Sequence, residues 1–269
     1  MYKDAIGDRM KDYENCYRIY LPKRQAVIVR LDGKAFHSFT KGFDRPYDVM
    51  FAKAMWETAR KLCENVGGCV FGYTQSDEIT LVLVDYNSIK TEPWFGNNLQ
   101  KIVSVSASMA TYFFNDAFRH IIHNEASTFA CETSVHVRAA MEKMAVFDAR
   151  AFIVPREEVV NCLYWRQLDC VRNSIQLMGQ SNFSHNELQG KSCDEIQEML
   201  FSQRGINWAK MTPQWFRNGV ALYKAPKEVQ YVKQDGSIGT VMREKWTIDL
   251  EIPMFSANPE YINRYLSLT

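Results

Sequence analysis

The sequence predicts an α+β protein, with a ferredoxin-like (split βαβ) domain followed by a helix-rich C-terminal region. Over residues 1–153, short β-branched runs and long amphipathic stretches alternate in the order strand, helix, strand, strand, helix, strand. Beyond Pro155, the apolar residues recur mostly at helical spacing. A chain of 269 residues, 46% of them hydrophobic, can bury a substantial core, so we expect a compact fold.

Each element of the first domain, residues 1–153, is predicted from local signals. Residues 25–33 form a β-branched run closed by Asp-Gly, which is typical of a strand with a sharp exit. Residues 45–68 carry Pro46 and Asp48 in a first turn, then a helical apolar repeat and a terminal Gly-Gly, so they predict a helix. The remaining elements are strands at 69–74 and 79–85, a helix within 97–122 and a strand within 145–154.

The C-terminal half, residues 154–269, is predicted to be a second domain packed on the first. Helical spacing of apolar residues dominates it, and two strand-like runs follow. The predicted helices lie at 156–180 and 192–205, and the predicted strands lie at 229–234 and 240–248, around Asp235-Gly236.

Composition argues against several classes of protein. The cysteines are odd in number and lack CxxC spacing, so we expect reduced thiols at Cys16, Cys63, Cys69, Cys131, Cys162, Cys170 and Cys193. Of the five histidines only His120 and His123 are close, which does not predict a zinc site. No apolar run is long enough for a membrane span and the first residues are too charged for a signal peptide, so we expect a cytoplasmic protein.

Net charge gives no global indication of a nucleic-acid partner. The formal charge is only +1, so any polyanion has to be bound by local patches. The densest short cluster of basic residues contains Arg18, Lys23 and Arg24, just before the first strand. The cluster is consistent either with a solvated surface or with contacts to RNA phosphates.

Three acidic residues are predicted to meet at one edge of the sheet. In a split βαβ sheet the third strand lies between the first two and runs antiparallel to them, so Asp32 ends its strand beside Asp77 and Glu78. Two carboxylates about 5 Å apart repel by about 3 kcal/mol at an effective dielectric of 20. A shared proton, a basic side chain or a divalent cation could offset this repulsion.

Oxygen ligands of this kind suit Mg²⁺, which keeps positions for water and phosphate. Gly33 lacks a Cβ, so its carbonyl and the following amides could approach a metal-bound triphosphate closely. Taken singly, Asp-Gly is often a plain turn and Ser-Asp often caps backbone groups. Together, at abutting strand ends, they favour a two-metal site for phosphoryl or nucleotidyl transfer.

The same residues carry a family resemblance. The segment "RLDGKAFHSFTKGFDRPYD", followed by "GYTQSDE", resembles the catalytic signature of the tRNA-His guanylyltransferase family, whose enzymes add nucleotides to RNA 5′ ends in the 3′-to-5′ direction. The resemblance extends into the second half of the chain. The matching residues there are Leu163, Tyr164, Trp165, Arg166, Gln167, Asp169 and Cys170.

The resemblance implies a polymerase-type palm and a role for each site residue. Asp32 and Asp77 would coordinate two or more Mg²⁺ ions with the Gly33 carbonyl, and Glu78 would be an acid beside them. The incoming nucleotide would contact further residues: Lys34, Ala35, Phe36, His37 and Ser76 at the triphosphate, and Phe43, Arg45 and Asp48 elsewhere. The implied substrates are GTP, ATP and tRNA, and the implied assembly is a homotetramer. ATP or GTP would activate the 5′-phosphate before the 3′-hydroxyl of the incoming nucleotide attacks.

One departure from the family pattern concerns the substrate. Eukaryotic guanylyltransferases of this family carry a His-Ile-Asn-Asn-Leu-Tyr-Asn run where this chain has "VRNSIQL" at 171–177. Without that His and most of the Asn and Tyr side chains, the chain resembles the guanylyltransferase-like branch that repairs truncated tRNA 5′ ends by copying the opposite strand. Untemplated addition of G to tRNA-His remains the alternative.

The helix that contains this run has its own expectations. Tyr164, Trp165, Leu168 and Ile175 fall at helical spacing, which favours core positions. Arg166 and Asp169 are expected to form an ion pair that supports the site, and Arg172 could touch RNA.

Two more distant functions also remain open. A palm-type nucleotide cyclase or dinucleotide synthase usually shows a Gly-Gly-Asp-Glu-Phe-like turn, whereas this turn is Gln75-Ser76-Asp77-Glu78-Ile79. An RNA-binding protein with an inert metal site would be expected to have lost an acid, and none is lost.

Overall fold

The protein, as a computed structural model, is described over residues 5–128, 135–232 and 236–266. It is an α+β protein built on one antiparallel sheet. The strands are β1 (Ala26–Gly33), β2 (Cys69–Gln75), β3 (Glu78–Leu83), β4 (Phe147–Val154), β5 (Val220–Val232) and β6 (Ile238–Asp249). They lie in the order β4-β1-β3-β2-β5-β6, so β3 lies between β1 and β2 and runs antiparallel to both, as the sequence predicts.

Helices cover both faces of this sheet. In chain order they are α1 (Ala5–Asn15), α2 (Phe36–Phe39), α3 (Val49–Asn65), α4 (Leu99–Thr128), α5 (Val135–Met141), α6 (Val159–Asn182), α7 (His185–Leu188), α8 (Cys193–Arg204), α9 (Trp208–Met211), α10 (Gln214–Asn218) and α11 (Glu260–Leu266). One core cluster lies between the sheet and the α3–α4 pair. A second lies between the sheet and the helices α6 and α11, and a third joins α6 to α8 and α10.

The alternation of side chains along β1 decides which residues face α6. Val27, Val29 and Leu31 belong to the α3–α4 core, whereas Ala26 and Ile28 belong to the α6–α11 core. Because successive side chains of a strand point to opposite faces, residues 30 and 32 lie on the same face as Ala26 and Ile28. Arg30 and Asp32, near the C-terminal end of β1, are therefore turned toward α6.

The start of α3 confirms the local signal at Asp48. Its side chain is buried and accepts a hydrogen bond from the Phe51 N–H at 2.9 Å, which satisfies one of the unpaired amides of the first turn. The helix begins at Val49, four residues after the start of the predicted segment. Asp48 therefore has a structural role at the helix end that the family resemblance alone did not reveal.

The two strands predicted at 229–234 and 240–248 are longer than expected. β5 begins at Val220, and Leu222 pairs with Gly72 of β2, so the C-terminal hairpin extends the same sheet. Its buried run spans only residues 220–222, too short for hydrophobic alternation to identify it. Asp235, in the predicted turn, lies outside the described residues. The division into domains at 153/154, which this sheet crosses, stays a prediction.

Two further expectations concern the cysteines and membranes. The described cysteines are all free thiols, and Cys131 lies outside the described residues. Across the described ranges, no helix combines the length and the apolar character needed to cross a bilayer.

Candidate active site

The end of β1 and the turn between β2 and β3 lie side by side. β3 begins at Glu78, so the turn before it consists of Ser76 and Asp77. The Gly33 N–H donates a hydrogen bond to the Asp77 carbonyl at 3.1 Å, and Asp32 stands opposite Glu78 in the β1–β3 register. The predicted convergence of the three acidic residues at one sheet edge is therefore present.

Asp77 experiences the electrostatic cost that the sequence suggests. Burial raises the pKa of Asp77, and repulsion by Asp32 adds to the rise, while hydrogen bonds from its own backbone and from Ser76 lower it. Among the described residues, neither Asp32 nor Asp77 forms an ion pair with a basic side chain. For this pair of carboxylates, a shared proton or a bound cation remains as the means to offset the repulsion.

Glu78 differs because basic side chains surround it. The Arg166 Nε donates a hydrogen bond to the Glu78 Oε1 at 2.7 Å, and the Arg30 Nε lies 3.7 Å from the Oε2. Burial raises the pKa of Glu78, although both arginines oppose that rise. Arg166 also pairs with Asp169, which confirms the predicted ion pair, and Asp169 pairs in turn with Arg172. Glu78 is thus a buried anchor between β3 and α6.

The segment after β1 has the geometry of an anion-binding turn. Ala35 is in the left-handed conformation, with φ of 57°, immediately before the short helix α2. A left-handed residue followed by helical ones directs successive N–H groups into one concavity, and the first amides of a helix have no intrahelical acceptor. The amides of Ala35, Phe36 and His37 are therefore suited to bind an anion in this turn. Lys34 and His37 have exposed side chains, whereas the Phe36 ring belongs to the core.

Gly33 is required by packing within this turn. A Cβ built at Gly33 would lie 2.3 Å from the nearest carbon of the Phe36 ring, much closer than real Cβ contacts. The sequence suggested that this glycine admits a ligand. The structure shows that the same missing Cβ also admits the Phe36 ring.

A cavity of about 160 Å³ opens next to the acidic turn. One wall comes from the first half of the chain and contains Phe43, Arg45, Asp48, Phe51, Trp56, Gln75 and Ser76. The opposite wall comes from α6 and α10 and contains Cys170, Asn173, Ser174, Leu177, Trp215 and Phe216. Every residue predicted to line the nucleotide beyond its triphosphate is present here. The second wall was missed, because no local pattern indicates which helix covers this part of the sheet.

Phe43 and Arg45 occupy different depths of this cavity. Phe43 is 6% exposed, and its ring stacks on Phe118, so it is a core residue that also forms part of the wall. Arg45 is exposed at the cavity mouth. The cavity therefore has an aromatic interior and a basic residue at its entrance.

The exposed stripe of α6 corrects one expectation. Trp165 and Leu168 were predicted to be core residues, but they are 49% and 44% exposed. Ile175 is buried in the cluster shared with α8 and α10, as predicted, and Tyr164 packs on the α6–α11 core. Arg166 and Gln167 occupy the buried face of α6, where their polar atoms have hydrogen-bond partners. Trp165 lies on the exposed face of the helix.

Another acidic residue was missed at the same edge. Asp148 of β4 stands opposite Asp32 in the β1–β4 register and is exposed. The alternation of charged and apolar residues in "FDARAF" is the signal that could have indicated it. In the described ranges no three His, Cys, Asp or Glu side chains form a metal-ligating group. An ion held by Asp32 and Asp77 would thus need backbone oxygen, such as the Gly33 carbonyl, and water.

One member of the basic cluster before β1, Arg24, has a structural role. The Arg24 guanidinium donates to the backbone carbonyls of Asp85, Ser88 and Ile89 at 2.6–2.9 Å, so it holds a loop in place. Arg18 pairs with Glu14, and Lys23 pairs with Glu92; all four side chains are substantially exposed. Within this cluster, Arg18 and Lys23 remain suitable for contacts with a polyanion.

Comparisons with known proteins identify similar chains over most of this length. A family model described as tRNAHis guanylyltransferase matches residues 7–155. A solved structure of a bacterial tRNA(His) guanylyltransferase-like protein in complex with ATP is 38% identical, covers 98% of this chain and 100% of that chain, and has a TM-score of 0.82. Its counterpart in complex with GTP has the same identity and coverage and a TM-score of 0.75. The tRNA(His) guanylyltransferase of Schizosaccharomyces pombe is 26% identical over 254 residues, which are 90% of this chain and 88% of that protein.

Proposed function

This chain belongs to the tRNAHis guanylyltransferase family of nucleotidyltransferases, and we propose that it repairs truncated tRNA by adding nucleotides to the 5′ end in the 3′-to-5′ direction, guided by the opposite strand. The observation that carries the proposal is the α6 wall of the cavity, formed by Asn173, Ser174 and Leu177. Eukaryotic members carry a His and additional Asn and Tyr side chains in the corresponding run. With fewer polar groups on this wall, orientation of the incoming nucleotide depends more on base pairing.

In this proposal the cavity holds the base of the incoming nucleotide. Its volume of about 160 Å³ is similar to that of cavities of about 150 Å³ that accept a benzene ring. Phe43 supplies an aromatic surface, and Gln75 and Asn173 supply amides that can donate and accept hydrogen bonds. A bacterial relative was solved with ATP and with GTP, which supports a site that accepts either purine nucleotide.

The triphosphate is proposed to lie across the turn that follows β1. The amides of Ala35, Phe36 and His37 would bind the phosphate oxygens there, and the exposed Lys34 adds a positive charge. Ser76 lies at the edge of the cavity, where its hydroxyl can reach the phosphates. The base and the phosphates would therefore extend from the cavity to the acidic edge.

The acidic edge is proposed to hold two or more Mg²⁺ ions. The donor set fits this ion, because Asp32 and Asp77 provide hard oxygen ligands that no basic side chain of the described chain neutralises, and the Gly33 carbonyl can add a third. When bound, Mg²⁺ would lower the pKa of the attacking hydroxyl and neutralise charge on the leaving phosphates.

The protein's own contribution is orientation. ATP or GTP first activates the RNA 5′-phosphate with loss of pyrophosphate, and the 3′-hydroxyl of the incoming nucleotide then attacks that phosphorus and displaces the nucleoside monophosphate. Asp32 and Asp77 would hold the Mg²⁺ ions at this sheet edge, and the turn after β1 would orient the triphosphate toward them. Glu78 stays in its ion pair with Arg166 and fixes the turn that carries Asp77.

The first four strands with α3 and α4 are proposed to form a ferredoxin-like, polymerase-type palm. The strand order β4-β1-β3-β2 supports this assignment. The acids at the end of β1 and at the β2–β3 turn further support it, because they occupy one edge of that sheet.

We also propose that copies of the chain assemble as a homotetramer. The helix α1 buries no residue against its own chain. Ile6, Met10 and Tyr13 recur at helical spacing and are 67%, 49% and 64% exposed, a pattern that favours coverage by another copy. Light scattering at working concentration measures the mass; a monomer would contradict the assembly and leave the catalytic proposal unaffected.

The test of function compares two RNA substrates on one enzyme preparation. One is 5′-monophosphorylated tRNA lacking its first residue, and the other is full-length tRNA-His; both are incubated with ATP, labelled nucleotides and Mg²⁺. We expect kcat/KM to favour the truncated tRNA by at least about tenfold, or about 1.4 kcal/mol, with the added nucleotide set by the opposite base. A tenfold preference for full-length tRNA-His would instead establish untemplated guanylylation.

A further inference from the structure

An exposed aromatic ring stands beside the candidate active site. Trp165 on α6 is 49% exposed. The guanidinium carbon of Arg166 lies 4.2 Å from the ring centroid and that of Arg30 lies 5.7 Å from it. These cation–π contacts hold the indole in a defined position while leaving about half of its surface open. The Trp165 ring is therefore both held in position and accessible to a ligand.

Two contacts connect this ring to the acidic edge. Arg166 donates to Glu78, which stands opposite Asp32 in the β1–β3 register. Arg30 contacts the ring and lies two residues before Asp32 on the same face of β1. A ligand placed on Trp165 would therefore lie next to the position where the RNA 5′ end has to be held.

Further guanidinium groups lie near the ring. Arg150 is exposed and stands opposite Arg30 in the β1–β4 register, and Arg172 is exposed two turns along α6 from Trp165, about 10 Å by the helical rise. Each is paired with one carboxylate, but a guanidinium has five N–H donors, so donors remain for a phosphate. An open ring with exposed guanidinium groups on the neighbouring strand and on the same helix matches a chain of alternating bases and phosphates.

We propose that Trp165 is a stacking platform for an unpaired base at the acceptor end of the RNA, with Arg150 and Arg172 contacting the adjoining phosphates. This inference rests on the proposed repair function. An unpaired base can turn a face onto a protein ring, whereas bases inside a duplex stack on one another. A truncated tRNA offers such bases at the end where nucleotides are added. The platform would hold the template strand without regard to its sequence, since every base has a π face.

The test measures the Kd for 5′-phosphorylated truncated tRNA with matched variants. Trp165→Ala is expected to weaken binding by about tenfold, and Trp165→Phe is expected to retain most of the affinity. The control Phe201→Ala removes an aromatic side chain that is 59% exposed on α8 and should leave the Kd unchanged. On an RNA whose acceptor end is fully paired and blunt, wild type and Trp165→Ala should bind equally.

A second measurement addresses the arginines without changing the ring. Arg172→Gln should reduce the slope of log affinity against log salt by about 0.7 to 0.9, the contribution of one phosphate contact. The Kd for GTP should be unchanged in both Trp165→Ala and Arg172→Gln, which establishes that each variant is folded.

Unaltered binding of truncated tRNA by Trp165→Ala, or an equal loss on the blunt RNA, would overturn the platform. If Trp165→Ala also loses GTP binding, the test of the platform rests on Trp165→Phe and Arg172→Gln. Normal tRNA binding with a normal salt slope in Arg172→Gln would then overturn the proposed platform. If wild type extends truncated tRNA while these variants bind normally, only this inference fails. If wild type neither binds nor extends RNA, the proposed function itself fails.

Discussion

Replacing Arg166 with methionine should destabilise the protein strongly. The Arg166 and Glu78 side chains are each 8% exposed and are joined by a hydrogen bond of 2.7 Å. Removing one partner of a buried ion pair costs about 3–5 kcal/mol, because the other charge is left without compensation. Arg30 remains 3.7 Å from Glu78, so we expect a loss near the lower limit, about 3 kcal/mol in the free energy of unfolding.

Urea denaturation of wild type and three variants measures this loss. The matched control is Arg172→Met, because Arg172 pairs with Asp169 but is 57% exposed, and the expected cost is at most about 1 kcal/mol. The double variant Arg166→Met/Glu78→Gln removes the unpaired charge and should recover part of the loss. If Arg166→Met costs no more than Arg172→Met, the ion pair does not anchor α6 to the sheet and the reasoning is wrong.

Three other outcomes are expected. Asp77→Asn should lower the rate of nucleotide addition by at least about a thousandfold, and more than about a tenth of the activity remaining would contradict the ligand role. The melting temperature should stay equal or rise, because the variant removes a half-buried charge that Asp32 repels. Gly33→Ala should lower the free energy of unfolding, measured by urea denaturation, by about 1–3 kcal/mol, because the new Cβ would overlap the Phe36 ring. Gly33→Ala/Phe36→Leu should recover part of that loss, and an unchanged free energy in the single variant argues against this packing. Burial raises the pKa of Cys170 to about 12, so iodoacetamide at pH 8 should alkylate the exposed Cys16 and spare Cys170 in the folded protein. Mass spectrometry measures the labelling, and equal labelling of both residues would show that the Cys170 thiol is open to solvent.

Local sequence signals were sufficient to predict that Asp32, Asp77 and Glu78 meet, although they did not indicate Asp148 beside Asp32. Asp-Gly after a β-branched run and Ser-Asp between two strands determine where those strands end, because turn chemistry acts over a few residues. The split βαβ order then placed Asp32 beside Asp77, and the register of β1 with β3 agrees with that prediction. The convergence of these three acids could be inferred from the sequence because each lies at the end of an element with clear local signals.

Tertiary structure alone decided what covers that edge. Arg166 reaches Glu78 across 88 residues of sequence, and the α6 wall completes a cavity begun at Phe43. A helical repeat identifies an apolar stripe but not its neighbours, so it predicted a buried Trp165 that the fold leaves exposed. β5 joins β2 through a buried run of only three residues, and such a short run takes its conformation from the strand beside it.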